Sequence, residues 1–171
     1  LDAAVDAYNK ALAIKPDFVD AYSNLGISLQ EQGKLEEAIE AYNKALVLKP
    51  DYADAYYNMG NALQVHGELD EAIEAYKKTL SLKPDYAEAY CNMGNVLQEQ
   101  GKLEEAIEAY NKAQAIKPDA AEAYNNMGNA LNEQDKLEEA IEAYNKSISL
   151  KPDYVEAYNN MATALVSSDK L

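Results

Sequence analysis

Apolar and small residues recur along the chain at helical spacing, in blocks of about fourteen residues parted by short polar turns. Tyr124, Met127, Gly128 and Leu131 stand at i, i+3, i+4 and i+7, as do Leu103, Ala106, Ile107 and Tyr110. This spacing predicts pairs of amphipathic helices. One pair runs from about Tyr86 to Gln100 and from about Leu103 to Ile116. Asp85, with Glu88 three residues on, has the spacing of a capping box at the first of these starts. The same spacing recurs at Asp17/Asp20, Asp51/Asp54, Asp119/Glu122 and Asp153/Glu156. Gly33, Gly67 and Gly101 are placed to end first helices in the left-handed conformation. Each proline is placed to stop a second helix, because the residue before it avoids the α region.

The pairs repeat without insertion. Pro16, Pro50, Pro84, Pro118 and Pro152 all lie in the tripeptide KPD, 34 residues apart. Tyr22, Tyr56, Tyr90, Tyr124 and Tyr158 form a second column in the same register, and Gly26, Gly60, Gly94 and Gly128, closed by Ala162, a third. Ala38, Ala72, Ala106 and Ala140 form another, followed by Tyr42, Tyr76, Tyr110 and Tyr144. Gly128 and its equivalents are expected to let two helices approach closely. Two departures stand out. Asp135 replaces a turn glycine, so a looser turn is expected there, by up to about 1 kcal/mol. Gln114 replaces an aliphatic residue and should weaken one helix–helix contact.

This period, with its tyrosine, glycine, alanine and proline columns, resembles the tetratricopeptide repeat family over the whole chain. The resemblance implies an all-α fold, a right-handed alpha-alpha superhelix (TPR solenoid) of 34-residue helix-turn-helix repeats with a concave binding surface. The expected organisation of 1–171 is a single array. Residues 1–18 form a half repeat, 19–52, 53–86, 87–120 and 121–154 are complete repeats, and 155–171 are a second half repeat. The lone helices at the two ends would leave Leu1, Val5, Tyr8 and Leu12, and Tyr158, Met161 and Leu165, without their usual partner. Head-to-tail self-association through these complementary halves is one expectation, and a longer parent protein is the simpler one.

Composition narrows the function. The net charge is −15, from 15 basic and 30 acidic residues, and every basic residue is lysine. Such a polyanion repels phosphate backbones, so no nucleic acid partner is expected. No apolar run approaches a membrane span, so no membrane partner is expected either. A single cysteine, Cys91, weakly fits a reducing, cytoplasmic setting.

With about 100° per residue and Glu122 at zero, Asn126, Asn129 and Glu133 fall within about 40° of zero and Asn125 near −60°. The packing residues lie opposite. The polar stripe of the first helices therefore carries Asn24, then Asp54, Asn58 and Asn61, then Glu88, Asn92 and Asn95, then Glu122, Asn125, Asn126 and Asn129, and finally Asn160. No lysine lies on a first helix. Lysines instead follow acids four residues on, as at Asp6–Lys10, Glu40–Lys44, Glu74–Lys78, Glu108–Lys112 and Glu142–Lys146. A side-chain amide is both donor and acceptor, so a row of amides suits an extended peptide backbone, and the acids would favour basic segments. The asparagine columns resemble the TPR arm of O-linked N-acetylglucosamine transferase, where such a ladder contacts peptide backbone. Asn24, Asn58, Asn92, Asn126 and Asn160 equally suit a purely structural role between neighbouring helices. The lysine-and-arginine clamp by which other family members grip carboxylates has no counterpart here.

No catalytic constellation, phosphate loop or metal-ligand spacing occurs in the sequence, and no cofactor is expected. His66 reads as an exposed substitution for glutamine, Cys91 as an isolated thiol, and Phe18, Tyr52, Tyr86 and Tyr154 as packing or groove-edge residues. The expected function is a non-enzymatic protein–protein interaction scaffold that binds an extended, basic peptide in an acidic, amide-rich groove. The alternatives are a substrate-recognition arm of a larger enzyme, such as a glycosyltransferase, and a self-assembling structural array.

Overall fold

The computed structural model describes residues 1–168. Those residues form ten helices: α1 (Asp2–Ile14), α2 (Val19–Glu31), α3 (Leu35–Leu48), α4 (Ala53–His66), α5 (Leu69–Leu82), α6 (Ala87–Glu99), α7 (Leu103–Ile116), α8 (Ala121–Glu133), α9 (Leu137–Leu150) and α10 (Val155–Ser168). The chain divides into two compact units, Leu1–Pro84 and Asp85–Leu171. In the first unit α2 pairs with α3 and α4 with α5. In the second, α6 pairs with α7 and α8 with α9, and α10 packs on α9.

The expected helix starts shift by one residue, and the aspartate caps do not form. Tyr86, not Asp85, is the N-cap of α6, and Phe18 and Tyr52 hold the same position at α2 and α4, all without a side-chain cap bond. The aspartate is drawn into the turn after proline. There the backbone N–H of Tyr52 bonds Lys49 O at 3.3 Å, and Tyr52 O then accepts from Ala55 and Tyr56. The KPD lysine lies over the aromatic ring, 5.2 Å for Lys15–Phe18, 4.7 Å for Lys49–Tyr52 and 4.6 Å for Lys151–Tyr154. A cation–π contact thus marks these turns.

The second helices end as expected, with Lys49, Lys83, Lys117 and Lys151 leaving the α region before each proline. Gly33, Gly67 and Gly101 take positive φ, and Asp135 joins them at φ 62°. The Asp135 turn is no looser in geometry. Lys136 N–H bonds Leu131 O at 3.0 Å, as Lys102 N–H bonds Leu97 O at 2.9 Å. Its cost is the strain of a β-carbon in left-handed backbone. Gln114 is half-buried and reaches Ala123 O at 3.5 Å and Met127 Sδ at 3.4 Å.

Each complete hairpin is built on one tyrosine. Tyr42, Tyr76, Tyr110 and Tyr144 are fully buried. Their rings lie against Gly26, Gly60, Gly94 and Gly128, where an added β-carbon would come within 2.5 to 2.7 Å of ring carbon Cε1. The glycine column therefore makes room for a tyrosine ring. Leu12, Leu25 and Leu29 extend the core in the first unit. Leu131, Ala140, Ala143 and Ala164 do so in the second, with Met127 and Met161 packed against them.

Candidate functional site

The polar stripe is most complete in the second unit. Asn95, Gln98 and Glu99 from α6 and Asn126, Asn129 and Glu133 from α8 line an open hollow of about 520 Å³. These positions come together because the opposite faces of both helices are spent on the tyrosine-centred core. Glu99 and Glu133 are exposed, and the four amides are half-buried.

The amides are tied to the core by the buried tyrosines. Tyr110 directs its hydroxyl to Asn95 Oδ1 at 2.8 Å and to Gln98 Oε1 at 3.0 Å. Tyr144 donates to Asn129 Oδ1 at 2.8 Å, and in the first unit Tyr76 donates to Asn61 Oδ1 at 2.8 Å. Burial pushes the Tyr144 phenol up to about 12, and burial likewise holds Tyr42 and Tyr110 well above the usual tyrosine value; Glu31 or Glu133 adds to it in each case. The phenols therefore stay protonated, as donors.

A second set of bonds joins the first helices of this unit. Asn160 Nδ2 donates to Asn125 Oδ1 at 3.1 Å, Asn125 Nδ2 to Asn126 Oδ1 at 3.3 Å, and Asn126 Nδ2 to Asn95 Oδ1 at 2.9 Å. Gln98 Nε2 donates to Glu133 at 2.5 Å. Asn125 is wholly buried, because α10 covers the flank of the stripe on which it lies. Its amide links helices and is closed to a ligand in this structure. Asn126 and Asn160 also bond neighbouring helices, the structural alternative open for their column.

The remaining stripe residues are more scattered. Glu88 is exposed and paired with Lys117 at 3.2 Å, so a turn lysine reaches the edge of the stripe. Glu122 is exposed and Asn92 half-buried. In the first unit Asn24 and Asp54 are exposed and Asn58 is half-buried. Cys91 is half-buried, and burial, with Glu122 and Glu88 nearby, pushes its thiol up to about 11, which makes it a poor nucleophile. His66 is exposed, with Nδ1 3.1 Å from Glu68 and Nε2 3.6 Å from Glu36. Among the described residues no cluster of three ligating side chains could hold a metal ion, and no helix is long and apolar enough to cross a membrane.

Two of the expected helix ion pairs form, Glu40–Lys44 at 2.8 Å and Glu108–Lys112 at 2.7 Å. Glu74 instead pairs with Lys77 at 2.8 Å, while Lys78 lies 6.0 Å above the Tyr56 ring.

The fold and the repeating spacing of these hairpins agree with known proteins. The "TPR repeat" family model matches residues 1–33, 29–67 and 65–101, and the "Tetratricopeptide repeat" model matches 85–153. The chain belongs to the tetratricopeptide repeat family. Its TPR hairpins are similar to those in a crystal structure of MamA, at 34% identity, with 88% of each chain covered and a TM-score of 0.85. MamA 41-end from Desulfovibrio magneticus RS-1 is 26% identical, covering 88% of this chain and 85% of that one, with a TM-score of 0.82. PilF of Pseudomonas aeruginosa is 28% identical, covering 89% and 69%, with a TM-score of 0.79. No curated protein matches the chain. TPR proteins of this kind act as protein-interaction scaffolds.

The role of the tyrosine column was missed at the level of sequence. The signal was there: a buried column that is tyrosine four times, never phenylalanine, implies a partner for each hydroxyl.

Proposed function

We propose that the chain is a non-enzymatic scaffold whose second unit binds an extended, basic peptide along the hollow between α6 and α8. The observation that supports this reading is the meeting of two unlike groups in one open site. Asn95 and Asn129 are held by tyrosines and face Glu99 and Glu133, with no lysine among the lining residues. The amides would hold the backbone, at about 0.5–1.5 kcal/mol per net bond. The carboxylates would draw in lysine or arginine side chains and speed encounter. The free thiol of Cys91 fits a reducing, cytoplasmic setting.

The test is binding of a short alternating lysine–alanine peptide, followed by fluorescence anisotropy. The double variant Asn95→Ala, Asn129→Ala should bind about tenfold more weakly or worse, from two lost bonds. Unchanged affinity in a folded variant would remove the amides from the site. A second reading rests on exposed apolar residues of α10: Tyr158, Leu165 and Val166 are 46%, 43% and 55% exposed. Head-to-tail contact of this face with α1 of a second copy would raise the molar mass in light scattering as concentration increases. A constant monomer mass would exclude it.

A further inference from the structure

We infer that the hollow between α6 and α8 reads a bound chain through its carbonyl groups and makes no demand on its backbone N–H groups. Tyr110 and Tyr144 are the positioning residues that impose this polarity. The inference rests on the peptide-binding reading above and names the chain chemistry that the site accepts.

An asparagine or glutamine side chain carries one oxygen that accepts and one nitrogen that donates. Around the hollow the oxygens are already engaged. Asn95 Oδ1 receives Tyr110 Oη at 2.8 Å and Asn126 Nδ2 at 2.9 Å, which occupies both lone pairs. Asn126 Oδ1 receives Asn125 Nδ2 at 3.3 Å, and Asn129 Oδ1 receives Tyr144 Oη at 2.8 Å. Gln98 is pinned by the carboxylate of Glu133, which can only accept, so its nitrogen faces Glu133 and its oxygen faces Tyr110 at 3.0 Å. The one hydroxyl proton of Tyr110 is shared between Asn95 and Gln98. All four amide oxygens lining the hollow thus have a donor within the chain.

What remains for a ligand is the nitrogen end of Asn95 and of Asn129, together with the carboxylates of Glu99 and Glu133. Asn95, whose oxygen already receives Tyr110 and Asn126, cannot clamp both the N–H and the C=O of one peptide group, and the Asn129 oxygen keeps one lone pair beside its bond to Tyr144. Nor can one member of the row turn over alone. The bonds run head to tail from Asn160 through Asn125 and Asn126 to Asn95. Reversing a single amide would set nitrogen against nitrogen, in part at the wholly buried Asn125, where an unpaired group is costly. The row keeps one polarity or reverses as a whole.

A chain that offers carbonyls and lacks N–H groups therefore loses nothing in this hollow. Proline has no N–H, and a polyproline II segment leaves its carbonyls free of internal bonds. The ligand class therefore extends to proline-rich segments with interspersed lysine or arginine, the cations going to Glu99 and Glu133.

Two probes separate the outcomes: an alternating lysine–proline peptide and the alternating lysine–alanine peptide of equal length and charge. The wild-type chain should bind both with affinities within about threefold, since the oxygen of Asn95 is filled by Tyr110 and Asn126 and the carboxylates of Glu99 and Glu133 are taken by the lysines. In the double variant Tyr110→Phe, Tyr144→Phe, Asn129 is released to turn and Asn95 keeps one oxygen lone pair open beside its bond to Asn126, and the preference should swing toward the alanine peptide by more than about threefold. A proline peptide tenfold weaker on the wild-type chain overturns the inference and leaves the scaffold reading intact. An unchanged preference in the folded double variant overturns the assignment of the tyrosines. Failure of both peptides to bind overturns the scaffold reading and the inference together.

Discussion

The hydroxyl of Tyr110 lies 2.8 Å from Oδ1 of Asn95, so a fully buried side chain of the hairpin is bonded directly to an amide that lines the open hollow. Core and surface are one structure in this protein. A change made for stability at the tyrosine reaches the surface, and a surface change at the asparagine leaves the buried hydroxyl to Gln98 alone.

Removing the hydroxyl alone should therefore have a measurable cost. Tyr110→Phe keeps the ring that fills the space beside Gly94 and loses the bonds to Asn95 and Gln98. A loss of about 0.5–1.5 kcal/mol in urea unfolding is expected. No loss would mean that the hydroxyl bonds contribute nothing to the fold.

Gly94→Ala tests the ring seat itself. Alanine favours helix over glycine by about 0.8–1.0 kcal/mol, which alone would stabilise α6. The new β-carbon would stand 2.6 Å from Tyr110 Cε1, and overpacking of this kind costs about 1–3 kcal/mol. A net destabilisation is expected, measured by thermal or urea unfolding. Ala162, which closes the glycine column in α10, is exposed, so a β-carbon is tolerated there.

Asp135→Gly should stabilise. Asp135 holds φ 62° in a turn where Gly33, Gly67 and Gly101 stand elsewhere. Relief of the left-handed strain is worth about 1 kcal/mol, offset in part by the greater freedom of glycine in the unfolded chain. The melting temperature should rise by roughly 2 °C. A fall would show that the aspartate side chain itself holds the turn.

Alkaline pH should unfold the hairpins through their tyrosines. Burial raises the folded-state values of Tyr42, Tyr110 and Tyr144, the last to about 12, above the usual value near 10. The folded state then holds these protons more tightly than the unfolded state. Their contribution is complete below about pH 10 and is lost as pH rises toward and through 12. Stability measured from pH 8 to 11 should be flat at first and then fall, with phenolate absorbance appearing together with loss of helix. Phenolate formation across all tyrosines near pH 10 without unfolding would contradict the burial.

The columns at the 34-residue spacing made the helices, turns and pairing legible in the sequence, because each local requirement, glycine at the turn and proline after the second helix, recurs in register. The stripe carrying Asn95, Asn126 and Asn129 was legible from helical geometry alone. Asn125 was not, because whether a flank residue is open depends on the neighbouring helix, and α10 covers it. The amide polarity was not legible either. It depends on the reach of Tyr110 and Tyr144 from the second helix of each hairpin, a contact that a single-helix projection leaves out. The aspartate caps failed for a local reason: the proline turn holds the aspartate one residue too early to be the N-cap, and the next residue takes that place, Phe18, Tyr52 and Tyr86 at α2, α4 and α6 and Ala120 at α8.

The most direct measurement is NMR of the side-chain amides as the lysine–alanine peptide is added. The Nδ2 proton signals of Asn95 and Asn129 should move together along one binding curve, with those of Asn125 shifting far less. They should return as salt is added, because screening weakens the carboxylate contribution. A saturating curve that leaves the Asn95 and Asn129 signals in place, or no curve at all, would contradict the account.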